Sequence, residues 1–302
     1  MDASGFRMLV FGDSVIWGQG LLPQQKLHSI VAAQLGIPAG KVFSLAHSGA
    51  VIGRFNRETS SEVCHGEVPV SLPSVLQQLD SITGDTSQAE IVLLNGGSND
   101  VDPMFILNPL TSLRRLKERT DRFCGEDMEF LIGRARAKFP NSQTRIIVIS
   151  YYPYLSGDSR LNRIDDFLNL RGASLRAMDE LVEALGGLSE GFLDVFRRQI
   201  AEQCVFFWKE SSRALREAVE RFNSPSILFA EAAYTERNAA LASDPWVWGP
   251  FDPDPVADER SAACRECLNH PLKLALCLRA SAGHPNAQGA QAFATAILGV
   301  LS

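Results

Sequence analysis

Long apolar runs are missing from the sequence, and so is any excess of basic residues. No run approaches the roughly 18 apolar residues that a membrane-spanning helix needs, so we expect no stable insertion into a membrane. The 29 Lys and Arg residues are outnumbered by 35 Asp and Glu residues, which leaves a net charge of −6. Because an acidic surface repels nucleic acid and anionic lipid, we expect neither as the main partner.

Targeting signals are also scarce at the start of the chain. Arg7 interrupts the first residues, and the apolar stretch Met8–Phe11 is too short for the core of a signal peptide. This pattern favours the cytoplasm, or secretion if a leader was removed. The six cysteines are compatible with reduced thiols or with up to three disulfides, and composition leaves both open.

The remaining composition is that of a globular protein, with 45% apolar and 21% charged residues. Short apolar runs alternate with longer helical patterns, which is typical of a parallel sheet with helices on both faces. The sequence therefore predicts an α/β fold with about five strands. Strands are predicted at Arg7–Phe11, Val42–Leu45, Ile91–Leu94, Arg145–Ser150 and Ser226–Ala230. Helices are predicted at Gln24–Leu35, Ser74–Ser81, Glu126–Lys138, Leu175–Phe222 with a break at Gly186-Gly187, and Ala287–Leu301.

Two stretches depart from this alternation. We expect Leu155–Leu170 to form a loop or a cap, because it carries Gly, Asp, Arg and Asn. Tyr234–Gly283 is rich in Pro, Asp, Trp and Cys and is predicted to be a long loop insertion, of the kind that is usually functional or mobile. The chain shows no internal repeat and no low-complexity linker, so residues 1–302 are predicted to form a single domain.

Four residues that suit acyl transfer stand at the ends of predicted elements. Ser14, Gly49 and Asn99 follow the first three predicted strands, and His284 precedes the last predicted helix. In a doubly wound sheet these positions converge on one crevice. Together they supply a nucleophile, two oxyanion donors and a general base. By itself, Ser14 would be interpreted as part of a helix cap.

The four sequence blocks resemble those of the GDSL/SGNH hydrolases, whose second name spells Ser, Gly, Asn and His. The matching blocks are GDS at 12–14, Gly49, GGSND at 96–100 and HPN-x-x-G at 284–289, in the family order. The resemblance implies a three-layer α/β/α sandwich with a flavodoxin-like parallel sheet. It also implies a carboxylic ester hydrolase of the esterase or lipase type, with a small-molecule, lipid or sugar ester as substrate and water as the second substrate.

The same resemblance assigns a role to each residue. Ser14 would be the nucleophile and one oxyanion donor through its backbone N–H. Gly49 would donate its backbone N–H and Asn99 its side-chain amide to the same oxyanion. His284 would be the general base. This chemistry needs no metal and no organic cofactor.

One position departs from the family pattern, because Ser281 stands where the family usually has Asp, three residues before His284. Three interpretations follow. A backbone carbonyl orients Nδ1 of His284; a carboxylate of the preceding segment, Asp252, Asp254 or Asp258, replaces the missing one; or the enzyme is weak or inactive. We favour the first, because orientation and tautomer need an acceptor rather than a net charge.

Two other patterns have simpler interpretations. Ser189 lies in a G-x-S-x-G match, but the residues before it are helical in pattern, whereas this motif needs a strand there. We interpret Ser189 as a helix cap. Cys264, Cys267, His270 and Cys277 have spacings compatible with zinc, but they do not form two well-separated pairs. A disulfide or free thiols therefore fit this cluster better.

Aromatic residues precede the His284 block. Trp246, Trp248 and Phe251 either pack the insertion onto the sandwich or line a pocket for an acyl or sugar group. Three functions stay open at this point. They are an esterase or lipase, a carbohydrate O-acetylesterase with an open polar pocket, and a catalytically silent binding module on the same fold.

Overall fold

The computed structural model describes residues 1–55, 58, 64–170 and 190–302 and, within these ranges, contains one five-stranded sheet. Every neighbouring pair of strands is parallel. The order across the sheet is β2-β1-β3-β4-β5, which confirms the predicted flavodoxin-like α/β fold. The strands are β1 (Met8–Phe11), β2 (Val42–Ser44), β3 (Ile91–Leu94), β4 (Arg145–Ile149) and β5 (Ile227–Ala230).

Helices cover both faces of the sheet. The helices in the described ranges are α1 (Ser14–Trp17), α2 (Leu27–Gln34), α3 (Val75–Asp80), α4 (Ser98–Val101), α5 (Pro103–Ile106), α6 (Leu113–Thr120), α7 (Asp127–Lys138), α8 (Ile164–Leu170), α9 (Glu190–Glu220), α10 (Ala257–Cys267), α11 (Pro271–Leu278) and α12 (Ala287–Leu301). A π-helical segment, Asp121–Glu126, joins α6 to α7.

The layers follow from the contacts between helices and strands. Helices α2 and α12 pack together, and α12 contacts β4 and β5. On the other side, α7 contacts both α3 and α9. Helix α3 covers β1, α7 covers β4 and α9 covers β5. All residues of β1 and β3 are buried, as expected for a parallel sheet with both faces covered.

Two segments predicted to be loops contain helices. Helix α8 lies in the predicted loop or cap 155–170, and α10 and α11 lie in the predicted insertion 234–283. Pro271 is the first residue of α11, where a missing backbone N–H costs nothing, so it starts this helix instead of breaking one. Composition averaged over 50 residues concealed the Ala- and Leu-rich runs of these helices.

Other boundaries differ by less. The predicted helix 24–35 is interrupted at Lys26, whose extended backbone separates the 3₁₀ turn Pro23–Gln25 from α2. The predicted helix 175–222 is helical in its described part, α9, while the predicted break at Gly186-Gly187 and the residue Ser189 lie outside the described residues. No helix of the described ranges is long and apolar enough to cross a bilayer.

Two disulfides attach helices α10 and α11 to each other and to the rest of the fold. Cys264 in α10 is bonded to Cys277 in α11, and Cys267 is bonded to Cys64, 203 residues earlier. Val68, Cys264 and Cys277 form a small apolar core of their own. Three cysteines of the zinc-like pattern are therefore disulfide-bonded, so they are not available as thiolate ligands. Cys124 and Cys204 are free and buried.

We expect the Cys264–Cys277 disulfide to stabilise the fold measurably. Its cysteines are 13 residues apart, and a closed loop of that size restricts the unfolded chain by about 3 kcal/mol. The variant Cys264→Ser/Cys277→Ser should lose about this free energy of unfolding in non-reducing buffer. Under a strong reductant the wild type should approach the variant. If the wild type and the variant had the same free energy of unfolding in non-reducing buffer, the pairing would be contradicted. Free thiols at these positions by peptide mapping would contradict it as well.

Candidate active site

The nucleophile predicted from the sequence lies at the carboxyl end of β1. Ser14 is the first residue of α1, and the carboxylate of Asp13 caps this helix by accepting from the backbone N–H of Val15 at 2.9 Å. This cap holds the turn between strand and helix. Ser14 therefore lies at the edge of the sheet where the chain reverses its winding between β1 and β3, the usual ligand position in this topology.

His284 meets Ser14 across 270 residues of sequence. Its Nε2 lies 2.7 Å from the Ser14 Oγ, and both side chains are buried. The turn that carries His284 is held by backbone bonds, because its N–H donates to the Ser281 carbonyl at 2.9 Å and its carbonyl accepts from the Trp248 N–H at 2.8 Å. The Tyr152 hydroxyl donates to the Gly283 carbonyl at 2.8 Å. A hydroxyl and an imidazole at this distance can exchange a proton directly.

Gly49 and Asn99 line the same cavity as Ser14 and His284. Gly49 has a φ of +81°, and a Cβ on it would lie 2.7 Å from the Val70 backbone nitrogen, so only glycine fits this turn. The Asn99 amide donates to the Ala50 carbonyl at 2.9 Å. That bond uses one of the two amide hydrogens and fixes the orientation of the other.

The cavity has a volume of about 440 Å³ and walls of mixed character. Its aliphatic side chains come from three separate segments. A second cavity of about 30 Å³ also borders Ser14 and His284, and Tyr152, Tyr154 and Phe167 contribute to its walls. The apolar residues of the larger cavity are Pro69, Val70, Pro103, Met104, Leu268, Leu276 and Ala280.

A buried carboxylate lies beside the position of the missing acid. The Ser281 hydroxyl donates to Oδ2 of Asp254 at 2.8 Å. Arg260 holds the same carboxylate with two bonds, at 3.0 and 2.5 Å, and reaches Oε2 of Glu67 at 3.2 Å. Asp254, one of the three carboxylates considered from the sequence, is therefore directed to Ser281. The carbonyl expected to accept from His284 Nδ1 stays a prediction.

The other two carboxylates have different surroundings. Asp252 accepts from the Gly249 backbone N–H at 2.6 Å, and Asp258 lies exposed in the first turn of α10. The ion pair between Glu67 and Arg260 was not predicted from the sequence. The two residues are 193 positions apart, and no local pattern indicates that they are in contact.

The tryptophans proposed as pocket walls pack elsewhere. Trp246 and Trp248 are partly buried against the main core, and the Trp246 ring makes an edge contact with Tyr234 at 5.4 Å between centroids. Neither tryptophan is among the residues that line the 440 Å³ cavity or the 30 Å³ cavity. Their placement matches the packing alternative. Phe251 is 57% exposed and lies beneath the guanidinium of Arg279.

Asp13 belongs to a buried network that the sequence did not reveal. Its Oδ2 accepts from the Tyr151 hydroxyl at 2.8 Å, and that hydroxyl accepts from the Ser98 backbone N–H at 3.0 Å. Burial raises the pKa of Asp13 to about 6, although the bonds from Val15 and Tyr151 oppose this shift. Burial likewise raises the pKa of Asp100 to about 6.

Comparison with known proteins supports the fold. No family model matches the sequence, and no curated protein matches it. Among solved structures, phospholipase A1 from Streptomyces albidoflavus NA297 is 15% identical with a TM-score of 0.51, covering 99% of this chain and 98% of that one. The lipase Lip_vut3 from a goat rumen metagenome is 11% identical with a TM-score of 0.46, covering 98% and 97%.

A third similar structure is a family two carbohydrate esterase from Cellvibrio japonicus, which is 12% identical with a TM-score of 0.39. The alignment covers 98% of this chain and 60% of that one. At these identities the likeness concerns the fold. The phospholipase A1 comparison and the strand order together show that the chain has the α/β/α fold that the GDSL/SGNH resemblance implied.

The buried Asp13 predicts a distinct pH dependence of stability. Its pKa rises from 3.8 to about 6 on folding, so between these values the folded state keeps a proton that the unfolded state loses. Wild-type stability due to this group therefore falls as pH rises from 4 to 6. Asp13→Asn cannot titrate, so relative to wild type its free energy of unfolding should rise by about 2 kcal/mol from pH 4 to 7.

Denaturant unfolding at pH 4, 5, 6 and 7 measures this difference. Asp85→Asn is the matched control, because hydrogen bonds from Ser87 lower the pKa of the exposed Asp85 below its usual 3.8, so its titration lies below this pH range and its difference curve should stay nearly flat. Parallel curves for wild type and Asp13→Asn would show that Asp13 does not bind its proton more tightly in the folded state.

Proposed function

We propose that the protein is a serine hydrolase that cleaves a carboxylic ester through an acyl-Ser14 intermediate. The observation that carries this proposal is the 2.7 Å contact between Ser14 Oγ and His284 Nε2 at the wall of a 440 Å³ cavity. A nucleophile within hydrogen-bond reach of its base is the arrangement that covalent catalysis needs. This contact also favours an active enzyme over a catalytically silent binding module.

The proposed chemistry starts with proton transfer from Ser14 Oγ to His284 Nε2 as Oγ attacks the ester carbonyl carbon. The resulting oxyanion accepts from the backbone N–H groups of Ser14 and Gly49 and from the second amide hydrogen of Asn99. Collapse of this intermediate expels the alcohol, which takes the proton from His284. Water then attacks the acyl group with His284 again as the base, and Ser14 is regenerated.

The walls of the cavity favour an acyl chain over a sugar. Leu268 and Leu276 contribute aliphatic side chains from the insertion, and Pro69 and Val70 contribute another aliphatic segment. Aliphatic side chains suit a hydrocarbon chain, whereas a carbohydrate needs several polar partners. We therefore place the esterase or lipase function ahead of the carbohydrate O-acetylesterase.

The disulfides indicate the compartment in which the protein works. Two disulfides in one chain support an oxidising compartment, because the cytosol keeps most thiols reduced. We therefore propose an oxidising location in place of the cytoplasm.

We also propose that residues 1–302 form one domain around the sheet.

The nucleophile can be tested with a matched serine. Ser14→Ala should lower ester turnover by at least about 10⁴-fold, since loss of the nucleophile removes the covalent route. Its circular dichroism and unfolding midpoint should stay close to those of the wild type. Ser189→Ala, at the other motif-like serine, should retain activity. A serine-directed phosphonate should modify Ser14, and modification of Ser189 instead would overturn the assignment.

The orientation of His284 can be tested at Ser281. If a backbone carbonyl orients the ring, Ser281→Ala should lower kcat by less than about tenfold, against about 10⁴-fold for loss of an orienting carboxylate. Asp254 keeps its two bonds to Arg260 in this variant, so the buried charges stay paired. Asp252→Asn serves as the control. A large loss of kcat with an unchanged unfolding midpoint would instead assign the orientation to the Ser281–Asp254 pair.

A further inference from the structure

Two cations line the cavity that contains the proposed nucleophile. Lys273 lies in α11 and Arg279 caps its carboxyl end, and both are exposed. They share the cavity with Ser14 and His284, while no Asp or Glu residue is among its lining residues. The local charge of the cavity wall is therefore positive, in a chain whose net charge is −6.

Within the part of the chain that the structure describes, these two cations are not held by a carboxylate. Arg7, Arg134 and Arg221 are each held by a carboxylate at 2.5 to 2.6 Å. Among the ion pairs of the described ranges, none includes Lys273 or Arg279. The Arg279 guanidinium lies 5.7 Å from the centre of the Phe251 ring, a contact that positions it without neutralising its charge.

The backbone that presents these cations is restrained. The Cys264–Cys277 disulfide joins α11 to α10, and the Cys64–Cys267 disulfide joins α10 to the segment leading to Pro69 and Val70. Pro69 and Val70 also line the cavity. Cations held on a covalently linked frame cost less entropy to place beside a ligand than cations on a free loop.

We propose that the substrate is an acyl ester whose alcohol part carries an anionic group, a phosphate or a carboxylate, bound by Lys273 and Arg279. This inference rests on the proposed function. The acyl chain would lie against the aliphatic residues, such as Leu268 and Leu276, while the anion meets the guanidinium fork and the ammonium group. A neutral ester of the same acyl chain would lose that second contact.

Three esters with the same hexanoyl chain test whether an anionic alcohol part is preferred. Monohexanoylglycerol is neutral, its 3-phosphate carries a phosphate, and hexanoylglycerate carries a carboxylate. All three should be used as monomers in solution, so that attraction to an anionic lipid surface does not contribute. In the wild type, kcat/KM should be about tenfold higher for the anionic esters, the size expected for two exposed cations. Added salt should reduce that preference, because it screens exposed charges.

The charge-neutral variant Lys273→Gln/Arg279→Gln should lose the anionic-to-neutral ratio of kcat/KM. The control Lys41→Gln/Lys209→Gln removes the same number of charges and should keep it. Lys41 precedes β2 at the amino end of the parallel strands, whereas Ser14 follows the carboxyl end of β1. Lys209 lies in α9, and neither lysine lines the cavity. Equal kcat/KM for the three esters in the wild type would overturn the inference and leave the proposed hydrolase intact.

Binding tests the inference independently of turnover. The Ser14→Ala protein should bind the 3-phosphate ester about tenfold more tightly than monohexanoylglycerol by calorimetry, and adding Lys273→Gln/Arg279→Gln should remove the difference. If the wild type cleaves none of the esters while this binding preference holds, the hydrolase proposal fails and the anion site stands. Equal binding of the two esters would overturn the anion site.

Discussion

The hydrogen bond between Ser14 and His284 is the contact on which the remaining site geometry depends. Its two residues come from opposite ends of the chain, so it forms only if the sheet and the last helix are both in place. Backbone bonds from Trp248 and the hydroxyl of Tyr152 hold the turn at Gly283 and His284. On the other side, the Asp13 cap fixes the turn that carries Ser14. The turns on both sides of the Ser14–His284 contact are thus held in place.

The buried cluster of Glu67, Arg260 and Asp254 is held together by charged groups that have lost their contact with water. Two carboxylates and one guanidinium are almost fully removed from water, which costs more free energy than a surface ion pair does. The cluster receives several further bonds, including one from the Trp17 indole to Glu67 and one from the Ser281 hydroxyl to Asp254. These bonds offset the desolvation and connect the insertion to the turn before His284.

The two helices α10 and α11 bring separate kinds of chemistry to the cavity. They contribute aliphatic wall residues, Leu268 and Leu276, and the cations Lys273 and Arg279. Their own buried core is small, consisting of Val68 and the Cys264–Cys277 disulfide with partly buried neighbours. A unit with so little apolar burial needs covalent links, and both disulfides of the described chain are found here. Part of the proposed substrate cavity is therefore lined by a segment inserted between β5 and α12.

The sequence alone predicted the strands, the fold class and the four candidate site residues, because apolar periodicity and short motifs are local properties. It failed for α8, α10 and α11, where Pro and Asp in the surrounding segment outweighed local helix formers. Only the tertiary structure decided which cysteines pair, which carboxylate reaches Ser281 and which side chains surround Ser14. Each of these is a contact between residues far apart in the chain, such as Cys64 with Cys267 and Glu67 with Arg260. Such contacts leave no periodicity in the sequence, since they arise from how the crossovers and the insertion pack in space.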